Sequence, residues 1–309
     1  MRVLFWGTPD FATPPLRALI GEGFDVVGVV TQPDRPRGRS RSQLDPSPVK
    51  VVAVEEGIPV LQPDRPRGPE FEQALRDLAP DLSVVVAYGH ILPRSVIDLP
   101  ARGTLNIHAS LLPLLRGAAP IEAAIAQGFS ETGVTIMRMV PALDAGPVLH
   151  ALSSPILADE TGGELRLRLA ELGATALIEA LALMELGETS ERPQDDALAT
   201  YARKIERETA RVDWTLDAPT VARALRAYDP KPGAWGVLRG AEVRLYGARA
   251  ITDRAGAVGE VLETGEMGMI VACGTGAVAI REVHPAGKRR MAALDWAQGR
   301  GVAVGDTWG

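Results

Sequence analysis

The sequence predicts an α/β protein in which a parallel-sheet domain is followed by a smaller domain of short strands. Three observations support this prediction. The 309 residues are more than one ordinary domain needs and enough for two. Before residue 201, apolar runs without polar alternation are separated by helical segments, which is typical of parallel strands covered on both faces. After residue 201, short strands divided by glycines recur about every 8–12 residues, which is typical of a small barrel or sandwich.

The N-terminal residues predict the first strand and the first helix. Residues 3–7, Val-Leu-Phe-Trp-Gly, form a short apolar run that ends in glycine, and we interpret it as a buried strand. Residues 8–12 turn the chain. Residues 14–20 then form a helix whose prolines lie in its first turn, where a missing N–H does no harm.

Further apolar runs predict the rest of the first sheet. Residues 24–31 and 82–88 are rich in valine, which favours strands. Residues 104–109 and 133–140 give a fourth and a fifth strand, and residues 120–127 between them form a short helix. We therefore expect strands and helices to alternate along this part of the chain.

The clearest helical periodicity lies in residues 161–186. Thr161 and Glu164 have the spacing of a capping box at its start, and a series of leucines supplies its apolar side. A polar, proline-containing stretch follows at residues 187–199. This division gives a first domain at residues 1–188, a linker at 189–205 and a second domain at 206–309.

Glycines and prolines divide the second domain into short elements. Residues 214–228 are partly helical, and the prolines that follow end this helix. Four strands are predicted beyond it, at residues 241–246, 259–262, 268–273 and 277–283.

Composition and charge narrow the class of protein. Cys273 is the only cysteine, so neither a disulfide framework nor a cysteine-based metal site can be built, and we expect it to be a small buried side chain. No apolar run is long enough to span a membrane and no signal peptide is recognisable, so we expect a cytoplasmic protein. The net charge is −6, but residues from Tyr201 onward carry 16 basic and 13 acidic side chains, a net +3 against −9 for the rest. This asymmetry points to the second domain for contact with an anionic partner.

Three side chains are the candidates for catalysis. Asn106 and His108 are two residues apart on a predicted strand, so both point to the same side at its C-terminal end, where ligands bind in open α/β sheets. An amide beside an imidazole can stabilise an oxyanion and transfer a proton. Asp144 follows the fifth strand and would lie near His108 if that strand neighbours the fourth. A structural Asn–His pair and an ordinary Asp-x-Gly turn remain alternatives.

Two further segments carry features of binding sites. Residues 110–113, Ser-Leu-Leu-Pro, could form the wall of an apolar pocket or an ordinary strand-to-helix connection. The loop at residues 32–50 is long, rich in proline and basic, which suits phosphate contact, although a solvated loop is the alternative. A second basic cluster, Lys288-Arg289-Arg290, lies in the second domain. The basic residues of the loop are Arg35, Arg37, Arg39, Arg41 and Lys50.

Two classes of cofactor are not indicated. No Gly-x-Gly-x-x-Gly follows the first strand, so a nicotinamide cofactor is not expected. The four histidines, at positions 90, 108, 150 and 284, show no metal-ligand spacing, so we expect no metal.

Together these residues resemble the methionyl-tRNA branch of the 10-formyltetrahydrofolate-dependent formyltransferases over nearly the whole chain. The Asn-x-His-x-Ser-Leu-Leu-Pro segment at 106–113 with the later Asp-x-Gly is shared by all transferases of this type that use this donor. The basic loop is more specific to the tRNA-modifying branch, and so are Tyr-Ala-Arg-Lys at 201–204 and Pro-Lys-Pro-Gly-Ala at 230–234. The chain departs from the family pattern at Leu114, Leu115 and Glu122.

The resemblance implies a fold, a reaction and a set of roles. It implies a Rossmann-like catalytic domain followed by an OB-like barrel, with 10-formyltetrahydrofolate as donor and the amino group of methionyl initiator tRNA as acceptor. Asn106 and His108 would stabilise the oxyanion, and Asp144 would orient His108 and help to move the proton. The folate-binding residues would be Ser110, Leu111, Leu112, Pro113, Tyr88 and Gly89. The tRNA-binding residues would be Arg35, Arg37, Arg39, Arg41, Lys50, Lys288 and Arg289.

Two competing functions remain at this point. A sugar-nucleotide or glycinamide ribonucleotide formyltransferase would keep the three catalytic candidates but lack the basic loop. A non-catalytic nucleotide- or tRNA-binding protein on the same scaffold would not be expected to keep all three. We expect a monomer with tRNA and folate as its partners and no contact with membranes.

Overall fold

The computed structural model describes residues 1–37 and 43–309, except for the side chains of Arg37 and Gln43. The strands, in chain order, are β1 Arg2–Gly7, β2 Asp25–Val30, β3 Arg35–Arg37, β4 Gln43–Asp45, β5 Val60–Leu61, β6 Leu82–Val86, β7 Thr104–His108, β8 Arg116–Gly117, β9 Glu131–Arg138, β10 Val148–Pro155, β11 Tyr201–Ala202, β12 Ala234–Leu238, β13 Ala241–Ile251, β14 Val261–Gly265, β15 Gly268–Ala272, β16 Ala277–Pro285 and β17 Met291–Ala292. The α-helices are α1 Thr13–Gly21, α2 Pro48–Glu55, α3 Pro69–Asp77, α4 Arg94–Ile97, α5 Pro120–Ala126, α6 Gly162–Leu186, α7 Ala218–Ala227 and α8 Ala293–Gln298. Short 3₁₀ turns lie at Asp10–Ala12, Asp196–Leu198 and Glu208–Ala210.

The N-terminal sheet has seven strands in the order β10-β9-β7-β6-β1-β2-β5. The five strands from β7 to β5 are parallel, and four of them, β1, β2, β6 and β7, were predicted from apolar runs without alternation. β6 is buried along its whole length, and so is β1 after its first residue, because both lie in the middle of the sheet. Trp6, Tyr88 and Leu92 are among the buried side chains that form the core on one face.

The fifth predicted strand, β9, runs antiparallel to its neighbour β7. β9 pairs with β7 in antiparallel register, with His108 opposite Thr135 and Leu105 opposite Arg138. The sheet is therefore mixed: the predicted Rossmann-like sheet is confirmed, and its fifth predicted strand is antiparallel. An apolar run does not reveal strand direction, which depends here on the connection through α5.

The C-terminal sheet is antiparallel, with the order β12-β13-β16-β15-β14 and β17 on β16. The last residues of the chain lie between its two edges. Leu238 at the end of β12 bridges Trp308, and Glu260 before β14 bridges Thr307. These bridges join the sheet edges, which agrees with the predicted barrel of OB type.

Two compact units make up the chain. One comprises residues 1–117, 132–154 and 166–201, and the other comprises residues 118–131, 155–165 and 202–309. Both units are assembled from segments that are separate in the sequence. The division at 1–188, 189–205 and 206–309 stays a prediction.

The predicted capping box at α6 is present. The Glu164 carboxylate accepts hydrogen bonds from the Thr161 N–H at 2.9 Å and from the Thr161 hydroxyl at 2.8 Å, and the Glu164 N–H donates to the Thr161 hydroxyl oxygen at 3.2 Å. The two bonds that the carboxylate accepts lower the pKa of the Glu164 carboxyl from its usual value, and the bond from the Thr161 N–H is the larger cause.

Two other expectations from composition can be compared with the structure. Cys273 is a free thiol at 3% exposure, as expected, and burial raises its pKa to about 12. Across residues 1–37 and 43–309, no helix is both long and apolar enough for a membrane span.

Candidate active site

β7 brings Asn106 and His108 to one side of the sheet. The strand ends at His108, whose side chain is only 6% exposed, whereas Asn106 is half-buried. In the described part of the chain, the Asn106 amide has no hydrogen-bond partner. A half-buried amide that no neighbouring group engages is available to a bound molecule.

A main-chain carbonyl fixes the protonation pattern of the His108 ring. The His108 Nε2 lies 3.0 Å from the carbonyl oxygen of Leu115. Because a carbonyl can only accept, Nε2 must carry the hydrogen and donate it. In the neutral ring, the lone pair that can receive a proton is therefore on Nδ1. Leu115, which departs from the family pattern, contributes through its main chain.

Asp144 lies on the Nδ1 side of this ring. Its Oδ2 atom is 3.7 Å from His108 Nδ1, which is an ion-pair distance and too long for a hydrogen bond. The same oxygen accepts the N–H of Gly117 at 2.8 Å. Asp144 has a φ of +47°, in the left-handed region that few residues other than glycine adopt. The structure thus brings the three catalytic candidates of the sequence together.

Asp144 reaches His108 through a loop that folds back. Since β9 is antiparallel to β7, its C-terminal end points away from His108. Residues 139–147 must therefore return along the sheet before Asp144 can face the imidazole. Gly146 permits this path, because a side chain there would collide with the carbonyl of Arg138.

Sequence reasoning missed two polar residues that border the site. Arg116 is only 3% exposed and donates from Nε and Nη2 to Gln194 Oε1, at 3.0 and 2.8 Å. The Gln194 amide group donates to the carbonyls of Asp144 and Gly146, at 2.8 and 2.7 Å. A charge among the apolar residues around Arg116 was a usable signal, since a buried arginine needs acceptors. Gln194 lies in the predicted linker and offered no such signal.

The Ser-Leu-Leu-Pro segment lies directly beyond β7. Leu111, Leu112 and Pro113 are half-buried, whereas Ser110 is buried and donates its hydroxyl to the carbonyl of Leu114 at 2.6 Å. Thr135 fixes the segment by donating to the Ser110 carbonyl and accepting the Leu112 N–H, at 2.7 and 3.1 Å. The segment is therefore held to β9, with three partly exposed apolar side chains.

Tyr88 and Gly89 follow β6 at the same edge of the sheet. The Tyr88 ring is buried edge-on against Trp6, and burial raises the pKa of its hydroxyl to about 12. Its carbonyl accepts hydrogen bonds from Thr8 Oγ1 and Gln32 Nε2, at 3.1 and 3.0 Å. Gly89 has a φ of +90° and a side chain there would collide with Gln32, so this position needs glycine. The ordered backbone, rather than the Tyr88 side chain, is what this segment presents.

Part of the predicted basic loop forms a hairpin. β3 and β4 pair in antiparallel register, with Arg35 opposite Asp45. Arg35 is exposed and donates to Gln32 Oε1 at 2.7 Å. Arg39 and Arg41 lie outside the described residues, and of Arg37 only the backbone is described.

The charge of Lys50, the last basic residue of the loop, has a partner. Its Nζ donates to Asp34 Oδ2 at 2.6 Å and to Gln62 Oε1 at 2.8 Å. The hydrogen bond from Lys50 is the main cause that lowers the pKa of the Asp34 carboxyl. Lys50 therefore stabilises the base of the hairpin in this structure.

In the second basic cluster, one side chain is held by ion pairs, and the described part of the structure shows none for the other two. Arg290 pairs with Asp229 at 3.2 Å and with Glu282, and its guanidinium lies 4.0 Å from the ring centre of Tyr246. Lys288 and Arg289 are exposed and have no ion-pair partner among the residues described. These two remain available for an anionic partner.

Two models of known protein families match this chain, one in its N-terminal part and one in its C-terminal part. The family model described as formyl transferase matches residues 1–181. The model described as formyl transferase, C-terminal domain, matches residues 204–301. The chain belongs to the formyl transferase family. Transfer of a formyl group is therefore its reaction class.

One curated relative matches almost the full length. The methionyl-tRNA formyltransferase of Methylococcus capsulatus is 48% identical over 303 residues, which cover 98% of each chain.

Solved structures support the fold. HypX from Aquifex aeolicus in complex with tetrahydrofolic acid matches with a TM-score of 0.65 and 24% identity, covering 96% of this chain and 46% of that one. The present chain thus spans about half the length of HypX. An N-formyltransferase from Helicobacter canadensis, in complex with folinic acid and dTDP-3-aminofucose, matches with a TM-score of 0.68 and 15% identity, covering 90% of this chain and 98% of that one.

Proposed function

We propose that this formyl transferase moves the formyl group of 10-formyltetrahydrofolate to the free amino group of methionyl initiator tRNA. The observation that carries the reaction is the convergence of Asn106, His108 and Asp144 at the end of β7. The acceptor is supported by the 48% identity with a relative named methionyl-tRNA formyltransferase over 98% of both chains. The donor is supported by the family and by the HypX structure, which is a complex with tetrahydrofolic acid.

The geometry suggests how the three side chains divide the reaction. As the amine attacks the formyl carbon, negative charge develops on the formyl oxygen, and the unengaged Asn106 amide can donate to it. The attacking nitrogen must lose a proton, and the folate nitrogen must gain one when its bond to the formyl carbon breaks. His108 Nδ1 can carry that proton, because Nε2 stays committed to Leu115. The Asp144 carboxylate 3.7 Å away stabilises the transient imidazolium.

We propose that the folate lies along the C-terminal edge of the sheet. The half-buried Leu111, Leu112 and Pro113 would form its apolar wall. Ser110 would act by shaping this segment, because its hydroxyl is bonded to Leu114. The Tyr88–Gly89 backbone, held by Thr8 and Gln32, would border the ring system.

We propose that the tRNA contacts the exposed basic residues. Arg35, Lys288 and Arg289 are exposed, which suits contact with phosphates. The roles of Arg37, Arg39 and Arg41 rest on the resemblance of the basic loop to the family. Lys50 would support the hairpin through Asp34. We further propose a cytoplasmic, metal-independent monomer with a catalytic domain at residues 1–188, a linker at 189–205 and a tRNA-binding OB-like domain at 206–309.

An acceptor panel tests the proposal. The purified chain is incubated with 10-formyltetrahydrofolate and each of five acceptors: charged initiator tRNA, charged elongator tRNA, free methionine, glycinamide ribonucleotide and an amino-sugar nucleotide. We expect formylation of charged initiator tRNA and no turnover of the small amines. Equal activity on the amino sugar or glycinamide ribonucleotide would overturn the proposed acceptor.

Two further arms test the donor and the metal. With charged initiator tRNA as acceptor, 5-formyltetrahydrofolate should not replace 10-formyltetrahydrofolate. A chelator should leave the rate unchanged, since no group of three His, Cys, Asp or Glu in residues 1–37 and 43–309 is arranged to hold a metal ion. A rate that falls with chelator and returns with a divalent ion would contradict the metal-independent reaction.

A further inference from the structure

The segment at residues 194–200, within the predicted linker, is hydrogen-bonded to the backbone on both sides of the Asp144–His108 contact. Gln194 donates to the main-chain carbonyls of Asp144 and Gly146. Thr200 accepts the Leu115 N–H on its hydroxyl oxygen and the Arg116 N–H on its carbonyl, both at 2.9 Å. Segment 194–200 thus reaches the loop that carries Asp144 and the residue whose carbonyl holds His108.

The orientation of the Gln194 amide is determined by its neighbours. The Arg116 guanidinium can only donate, so the oxygen of Gln194 must face it, and the amide nitrogen must face the two carbonyls. A reversed amide would place donor against donor and acceptor against acceptor. Asp196 also accepts a hydrogen bond from this guanidinium, at 2.8 Å, but its side chain is 82% exposed. On its buried side, the Arg116 guanidinium is therefore hydrogen-bonded by Gln194.

The hydrogen bonds from Gln194 hold the backbone of the loop at Asp144–Gly146 in its observed conformation. Asp144 is in the left-handed region at φ +47°, which aspartate tolerates better than most residues but still adopts infrequently. The two carbonyls that Gln194 binds lie at Asp144 itself and two residues later, on the return of the loop. With the backbone held there, Oδ2 meets the Gly117 N–H at 2.8 Å and lies 3.7 Å from His108.

We propose that Gln194, oriented by Arg116, is a positioning residue for the formyl transfer: it sets the distance between the Asp144 carboxylate and His108 Nδ1. The inference rests on the proposed function of this site. Gln194 touches neither reacting group. Its loss therefore lowers the rate of the chemical step and leaves substrate binding in place.

Gln194→Glu separates positioning from support of the fold. The carboxylate keeps the acceptor for Arg116 and adds a charge to that pair, but it cannot donate to the two carbonyls and repels them. We expect kcat to fall by about 10²-fold, the cost of a misplacement of about 1 Å, with KM for both substrates within about threefold. The melting temperature should stay within about 3 °C of the native protein. Gln73→Glu makes the same change on the exposed face of α3 and should leave all these values unchanged.

A second measurement reports on the site without turnover. In ¹⁵N-histidine NMR spectra, the native His108 should show a hydrogen on Nε2, and the Nδ1 signal should shift in Gln194→Glu but not in Gln73→Glu. Should Gln194→Glu not fold, the near-isosteric Gln194→Met takes its place. A folded variant with kcat within threefold of native and an unshifted Nδ1 signal would overturn the inference. Native protein that formylates none of the panel acceptors would instead refute the proposed function.

Discussion

Replacing Asp144 by asparagine tests the candidate carboxylate with little change in shape. Asparagine retains an oxygen that can accept the Gly117 N–H. It also adopts positive φ readily, so the backbone at +47° gains no strain. The substitution therefore removes the negative charge beside His108 Nδ1 and leaves the loop in place.

The structure sets the size of the expected effect. Two unit charges 3.7 Å apart interact by about 4.5 kcal/mol at an effective dielectric constant of about 20. This attraction develops only when His108 carries the extra proton, so its loss raises the barrier rather than weakening substrate binding. At about 1.36 kcal/mol for each factor of ten, the upper limit is about 2 × 10³ in rate. Because the Asp144 side chain is 15% exposed, solvent screens part of the charge, and we expect a loss of about 10² to 10³.

Single-turnover formylation of charged initiator tRNA at saturating donor measures this step directly. Asp98→Asn is the matched control, because Asp98 is an exposed carboxylate paired with Arg94 on α4, and such a pair contributes little. The melting temperatures of both variants should match the native value. A rate for Asp144→Asn within threefold of native, in a folded protein, would refute the electrostatic role of Asp144.

Three other predictions concern His108, the basic loop and the cap of α6. His108→Ala should lower turnover at least about 10²-fold, and a near-native rate would remove His108 from the mechanism. The double variant Arg39→Ala, Arg41→Ala should raise KM for tRNA and make that KM less dependent on salt, while KM for folate stays the same. An unchanged salt dependence of KM for tRNA would assign the loop another role. Because the folded pKa of Glu164 lies below its usual value of 4.5, its capping contact stabilises the protein above that pH and is lost as pH falls through the folded pKa. The unfolding free energy lost in Thr161→Ala, about 1 kcal/mol at pH 7, should therefore shrink in acid, and a constant difference would contradict the ionised cap.

Burial explains which elements of the fold could be predicted from the sequence. β1 and β6 lie inside the sheet and are apolar except at Arg2 and Ser83, so their apolar sequence agrees with their burial. β10 was missed because it is an edge strand in which only Val148, Leu149 and Ser154 are buried, and its polar residues conceal it. β5 was missed because two residues carry no periodicity. Helices α2 and α3 and strand β12 were not predicted either. The direction of β9 could not be deduced, since it has the same kind of apolar run as the parallel strands.

The candidate site was predictable where it depends on strand geometry. Asn106 and His108 share a face because strand side chains alternate, and no tertiary information is needed for that. The expectation for Asp144 needed the adjacency of β7 and β9, which is confirmed, but the route through the returning loop could not be anticipated. Gln194 acts through two main-chain carbonyls, and main-chain acceptors leave no trace in a sequence pattern.

The choice of acceptor depends on surfaces rather than on the fold. The Helicobacter canadensis enzyme, solved in complex with dTDP-3-aminofucose, matches the fold with a TM-score of 0.68 at 15% identity, a likeness too distant to identify an acceptor. A sugar-modifying enzyme needs the same Asn, His and Asp chemistry, because its amine attacks the same kind of formyl carbon. What a tRNA acceptor adds is a polyanion, whose binding must weaken as salt rises, whereas the rate of the transfer step need not change with salt. A strong salt dependence of KM for tRNA beside a salt-independent single-turnover rate would therefore separate the acceptor surface from the catalytic site.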